Sequence, residues 1–153
     1  MRAIDLNILL YAVNRDAPAH EQVRRWWEAA VSSGDPVGLP WVVVLGFLRL
    51  STNPSVFPSP LTLQEAIARV DAWLEHPNVR VLAPGEDHWS VLKRLLDEVG
   101  TGGNLTTDAH LAALAIEHGA VLASCDADFA RYPHLRRENP LPAQGKRGSA
   151  GAS

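Results

Sequence analysis

The sequence predicts an α/β domain with a mostly parallel central sheet and helices on both faces. Three observations carry this. Short apolar runs (Ala3-Ile4, Val37-Gly38-Leu39, Val79 to Leu82, Ala120 to Cys125) recur along the chain, each bounded by turn or polar residues. Between them lie longer stretches whose apolar residues return at helical spacing. Strands that alternate with helices need crossover connections, which makes the sheet parallel and covers it on both sides.

Asn7 is a good N-cap for a first helix through Leu9, Leu10 and Val13. A second helix starts after Pro18 and runs to about Ser32, with Val23, Trp26, Trp27, Ala30 and Val31 on its apolar face. Ser33-Gly34-Asp35-Pro36 is a turn. Pro40 suits a first helical position, and Leu45, Leu48 and Arg49 at helical offsets favour helix over strand for Trp41 to Leu50, despite three consecutive valines. Asn53 to Pro60 holds three prolines and forms a loop. Thr62 and Glu65 make a capping box for a helix that stops before Pro77. A helix from about Glu86 to Val99 turns Trp89, Leu92, Leu95 and Leu96 inward, and Gly100 to Gly103 is a flexible loop. Thr107 caps a helix from Asp108 to His118 that Gly119 closes.

The chain has 153 residues, 46% of them hydrophobic, and suits one domain over residues 1–142. Residues 143–153 hold only small and polar side chains with nothing to bury, and are expected to be disordered. The net charge of -3 does not favour a nucleic-acid binder, although a local basic patch can still steer a polyanion. A single cysteine, Cys125, excludes an intrachain disulfide and suits a reducing cytoplasm. No apolar run is long enough to span a membrane, and Asp5 and Asn7 interrupt the N-terminal apolar stretch in a way a signal peptide would not.

The aspartates carry the chemistry. Asp5 ends the first strand and Asp126 follows the last apolar run, so parallel strands deliver both to one rim. Asp108 opens a helix running antiparallel to the strands, which brings its N-terminus to the same rim. Ligands of parallel α/β sheets bind beyond the carboxyl ends of the strands. Clustered carboxylates must either take up protons or share a cation, and an all-oxygen set suits Mg²⁺ or Mn²⁺ rather than zinc. Such an ion activates water against a phosphodiester. Asp128 can support Asp126, and Asn7 and Ser124 place neutral polar groups beside the site. Each residue also has an ordinary role in a cap or a solvated turn; only their convergence points to a site. The six histidines show no metal-ligand spacing. Arg49, Arg136 and Arg137, with Arg131, are the cations placed near the rim, where they would bind phosphate without reading sequence.

The segments IDLNILLYAV, LPWVVVLGFLRLSTNP, GNLTTDAHLAALAIEHGA and SCDADFARYPHLRRENPL resemble the PIN-domain family, in particular the VapC-type toxin ribonucleases of bacterial toxin–antitoxin pairs, over Ile4 to about Leu141. The resemblance implies a three-layer sandwich and a metal-dependent endoribonuclease acting on RNA. It also implies a homodimer inhibited by a small cognate antitoxin. The family's acidic ligands fall on Asp5, Asp108 and Asp126, with Asp128 as helper; its hydroxyl residue falls on Ser124 and its asparagine on Asn7. One departure stands out. The family places a glutamate on the helix after the second strand, near Val42 or Gly46 here, yet no acid occurs between Pro40 and Pro60. Either Asp128 compensates, or the chain is a catalytically weakened binding module. A haloacid-dehalogenase-like phosphatase also begins with a strand-end aspartate, but would need Asp in place of Asn7 and a lysine partner for the phosphate, a role that Lys93 in mid-helix does not suit.

Overall fold

The computed structural model describes residues 1–100 and 105–141. Most of the Gly100–Gly103 loop and the tail from 143 therefore lie outside the described residues. The elements run β1 (Arg2–Ile4), α1 (Leu6–Val13), α2 (His20–Ser32), β2 (Val37–Pro40), α3 (Trp41–Ser51), α4 (Leu63–Glu75), β3 (Val79–Leu82), α5 (His88–Val99), α6 (Leu105–Glu117), β4 (Val121–Ala123), a 3-10 turn (Ala127–Arg131) and β5 (Arg137–Glu138). All five strands are parallel, in the order β3-β2-β1-β4-β5.

The chain steps one way from β1 to β2 to β3, then crosses back to β4. Right-handed crossovers therefore place α1 to α4 on one face and α5 and α6 on the other. α1 packs on α2 and α3, and α6 on α5, β4 and β1. The sheet interior is apolar on both sides: Ala3, Ile4, Val37, Leu39, Leu122 and Ala123 are all fully buried. Under α4, Trp73 stacks edge-on against Trp27 at 5.8 Å and Phe47 at 4.7 Å. No helix among the described residues is long and apolar enough to cross a membrane.

Pairing register decides which side chains share a face, because laterally paired residues of parallel strands point the same way. Arg2 aligns with Val121, Ala3 with Leu122 and Ile4 with Ala123; Leu122 aligns with Arg137, and Ala123 with Glu138. Glu138 and Arg2 thus meet on the α2 face, where Glu138 accepts from Arg2 Nε at 2.7 Å and Trp26 Nε1 at 3.1 Å. Leu122 and Arg137 face the other way, as do Ser124 and Asn139, two residues on from each. Gly38 belongs to this second face. A Cβ built on it falls 2.5 Å from Cδ1 of the buried Leu82. Gly38→Ala is expected to destabilise by about 1–3 kcal/mol through overpacking, read as a lower midpoint in chemical denaturation.

Several local expectations are corrected. Asp5, not Asn7, caps α1: its Oδ1 accepts from Leu6 N at 2.7 Å. α6 already includes Leu105, so Thr107 lies within the helix rather than at its cap. β4 covers only Val121–Ala123, because the backbone turns to build the rim. Trp89 is 67% exposed; the inner face of α5 is formed by Leu95, with Leu92 and Leu96 half-buried. Thr62 does cap α4, accepting from Glu65 N at 3.1 Å. Gly119 takes positive φ behind α6, and Ala120 N reaches back to Ala115 O at 2.8 Å.

Candidate active site

The site is assembled where β1 and β4 end side by side. Asp5 N still donates to Ala123 O at 3.0 Å, extending the ladder by one residue before α1 begins. Asp5 is thereby held at the carboxyl edge, 8% exposed, with Ser124 next to it. Ser124 Oγ donates to Asp5 Oδ2 at 2.7 Å, and accepts from Asp126 N at 2.9 Å and Asn7 Nδ2 at 3.2 Å. Asn7 Nδ2 also donates to Asp5 Oδ2 at 3.1 Å, while its Oδ1 accepts from Cys125 N at 3.1 Å. Asn7 therefore ties the start of α1 to the end of β4. Asp126 caps the 3-10 turn, its Oδ1 accepting from Asp128 N at 2.8 Å.

Electrostatics link these groups to α6. Burial pushes the Asp5 carboxyl above its ordinary range; bonds from Ser124 and Leu6 offset part of this, and the Asp126 charge adds to it. Asp108, half-buried in the first turn of α6, is also pushed up, first by burial and then by the charges of Asp5 and Asp126, with Asp128 adding and Arg131 opposing. Burial, with Asp5 nearby, raises the Cys125 thiol to about 11, so it stays protonated and unreactive at neutral pH. Among the described residues, no three His, Cys, Asp or Glu side chains close tightly enough to hold an ion as they stand. The donor set is all oxygen, with Asp108 half-buried and Asp128 exposed. Its chemistry fits a hard divalent cation, and the side chains must draw together to take one.

The remaining candidates part company. Arg136 donates to the Gly119 carbonyl and so braces the end of α6. Arg49 sits in the last turn of α3, roughly 12 Å along the helix from Trp41. Arg137 lines a cavity together with Ser124 and Asp126. Arg131 pairs with Asp128 at 3.6 Å. His110 is engaged away from the carboxylates, at 2.9 Å from His88 Nε2; His88 in turn bonds Glu117, which staples α5 to α6. On α3, no acid replaces the missing glutamate. Gly46 is buried, and a Cβ there would come within 2.7 Å of Leu6 Cδ2.

Sequence reasoning passed over Tyr132. It is 2% exposed, its Oη has no hydrogen-bond partner among the described residues, and the Asp108 charge, after burial, raises its phenol. An orphaned buried hydroxyl costs about 1–3 kcal/mol. Tyr132→Phe is therefore expected to leave the melting temperature unchanged or raise it, unlike most large buried substitutions.

The PIN-domain family profile matches residues 3–135. The chain belongs to the PIN-domain family. Within it, the relatives are VapC ribonucleases. Ribonuclease VapC37 of Mycobacterium tuberculosis is 45% identical over 140 residues, covering 92% of this chain and 97% of that protein. The VapC ribonuclease Mb2897 of Mycobacterium bovis is 41% identical over 144 residues, covering 94% and 98%. Solved structures share the fold at low identity. A chain of VapBC2 from Rickettsia felis, crystallised with a DNA fragment from its promoter, matches with a TM-score of 0.68 at 18% identity, over 90% of this chain and 97% of that one. VapC20 of Mycobacterium tuberculosis, described as a sarcin-ricin-loop-cleaving toxin, matches at 0.62 and 18%, over 85% and 93%. This PIN domain has the expected parallel sheet with helices on both faces.

Proposed function

We propose that this chain is the RNA-cleaving toxin of a toxin–antitoxin pair, and that Asp5, Asp108 and Asp126, with Asp128 assisting, hold a Mg²⁺ or Mn²⁺ ion against the RNA phosphate. The observation that carries the reading is the coupling of carboxylates from three separate segments at one rim, inside a PIN domain. Once bound, the ion would supply an activated water and a counter-charge for the phosphodiester. Asp5 offers its carboxylate from a fixed position, since Leu6 N, Asn7 and Ser124 hold it from behind. Asp108 approaches from α6, and Asp126 is aimed by its own cap on the 3-10 turn. Arg137 faces the cavity beside Asp126 and Arg131 pairs with Asp128, so these supply positive charge near the rim, whereas Arg136 is held on Gly119 at the far end of α6.

A small cognate antitoxin is the proposed partner, supported by fold relatives described as VapBC or toxin–antitoxin complexes. A homodimer is the proposed assembly. Trp41 and Leu45 on α3, with Leu63 and Ile67 on α4, are exposed apolar side chains of the kind such partners cover. The weakened-module reading keeps one supporting observation, the acid-free α3. The named activity of the curated relatives weighs against it, and the PIN match sets the phosphatase reading aside.

The test is cleavage of a broad RNA panel in Mg²⁺ or Mn²⁺, with EDTA and Asp5→Asn as controls. Expression alone should arrest growth, and co-expression of the neighbouring open reading frame should relieve the arrest. Intact RNA throughout, together with no heat of Mn²⁺ binding by calorimetry, would leave the binding-module reading in its place.

A further inference from the structure

We propose that the cavity beside Asp126, between β4, β5 and the 3-10 turn, is a base pocket that takes one unstacked guanine next to the cleaved phosphate. This rests on the ribonuclease reading and adds a specificity to it. The cavity holds about 240 Å³ and is lined by Leu122, Ser124, Asp126, Ala127, Phe129, Arg137, Glu138 and Asn139. At about 30 Å³ per water, this is room for roughly eight waters. It is below the usual span of drug-sized pockets, about 300–1,000 Å³, and suits a single flat heterocycle.

Strand register builds the lining. Arg137 sits beside Leu122 on the same face of the sheet, and Asn139 follows two residues on, level with Ser124. Two side chains that donate hydrogen bonds thus stand next to the candidate catalytic residues. Glu138, between them in sequence, turns its carboxylate to the opposite face, to Arg2 and Trp26. Among the described residues, no ion pair or side-chain hydrogen bond engages Arg137. Asn139 Oδ1 accepts from Leu141 N at 2.9 Å, which leaves its amide N–H groups to donate.

The chemistry selects the ligand. A phosphate needs charge alone, whereas this cavity sets charge beside the exposed Ala127, over a floor closed by the buried Leu122 and Phe129. Bases of single-stranded RNA are recognised by insertion against such surfaces, with hydrogen bonds to their edges. A guanidinium fork beside an amide donor calls for an edge with two adjacent acceptors, and guanine O6 and N7 supply it. Because Ser124 and Asp126 belong to both the pocket and the carboxylate rim, the recognised base adjoins the scissile bond.

The experiment measures binding of labelled RNA pentamers that differ at one central position (G, A, C or U). It is run in EDTA, where no cleavage is expected, and compared with the cleavage products formed in Mn²⁺. The wild-type protein should favour the guanine pentamer about tenfold, the scale of one bidentate contact. Arg137→Ala and Asn139→Ala should lose that preference, and Arg137→Lys should keep affinity while losing selectivity, with melting temperatures unchanged at these exposed positions. Equal binding of all four pentamers by the wild type overturns the proposal. So does a preference that survives Arg137→Ala, or a uniform loss across all four bases, which would make Arg137 a phosphate contact. Binding without cleavage would instead count against the ribonuclease reading alone.

Discussion

Asp108→Asn is expected to abolish RNA cleavage while leaving the metal-free protein at least as stable as the wild type. The carboxylate is half-buried and faces the charges of Asp5 and Asp126, so its ionised form is disfavoured in the folded chain. A carboxyl raised above its ordinary value of 3.8 binds a proton in the folded state over a pH window where the unfolded chain has released it. Stability therefore falls as pH rises through that window and stays lower at neutral pH. Asparagine removes the charge and the decline with it. Thermal melts in EDTA at neutral pH should place the variant level with or above the wild type, with the gap narrowing as pH drops toward the ordinary carboxylate range. Mn²⁺ reverses the order. An ion bound only to the folded state stabilises by about 2.7 kcal/mol at a hundredfold excess over its Kd, and the variant, lacking a ligand, should gain little. Cleavage should fall by at least about a hundredfold, because an oriented ionic contact is lost where charge develops. A variant that still cleaves RNA, or that melts well below the wild type in EDTA, would remove Asp108 from the site.

That outcome was legible in part from the sequence. Asp5 and Asp126 each follow an apolar run, and parallel strands can only send such residues to a common edge. Asp108 could be placed because crossover handedness fixes which end of α6 points to that edge, even though the helix already includes Leu105, three residues earlier. Asn7 was harder. By residue type it is a good cap, but the aspartate two positions earlier takes that role, which frees Asn7 to bridge Ser124 and Cys125. Only the tertiary pairing of β1 with β4 decides between the two. β5 carries no sequence signal: it is two charged residues long, and ladder bonds define it, such as Ser124 N to Glu138 O at 3.0 Å. The base pocket was hidden for the same reason, since Arg137 and Asn139 acquire their direction from that pairing. Trp89 looked internal by spacing, yet α5 covers the sheet mainly through Leu95 and leaves its outer face wet.

Ser124→Ala should produce the largest effect of any single-atom change in the domain, on stability and activity together. Ser124 is 6% exposed, and its hydroxyl joins the β1–α1 junction to the segment after β4, donating to Asp5 and accepting from Asp126 N and Asn7. Alanine leaves a buried carboxylate short of a donor and a backbone N–H without its acceptor. Each unsatisfied group costs about 1–3 kcal/mol, so the melting temperature should fall on the order of 5–10 °C. The functional consequence follows from the same bond. Ser124 holds the Asp5 carboxyl down against the burial that raises it; without the hydroxyl, Asp5 is protonated to a higher pH. The acidic limb of the cleavage profile should therefore move upward, and activity lost at mildly acidic pH should be partly regained on raising it. Threonine keeps the oxygen, so Ser124→Thr should restore the profile even if the extra methyl lowers stability. An alanine variant with unchanged melting and an unshifted limb would mean that Asp5 is oriented by Leu6 N and Asn7 alone.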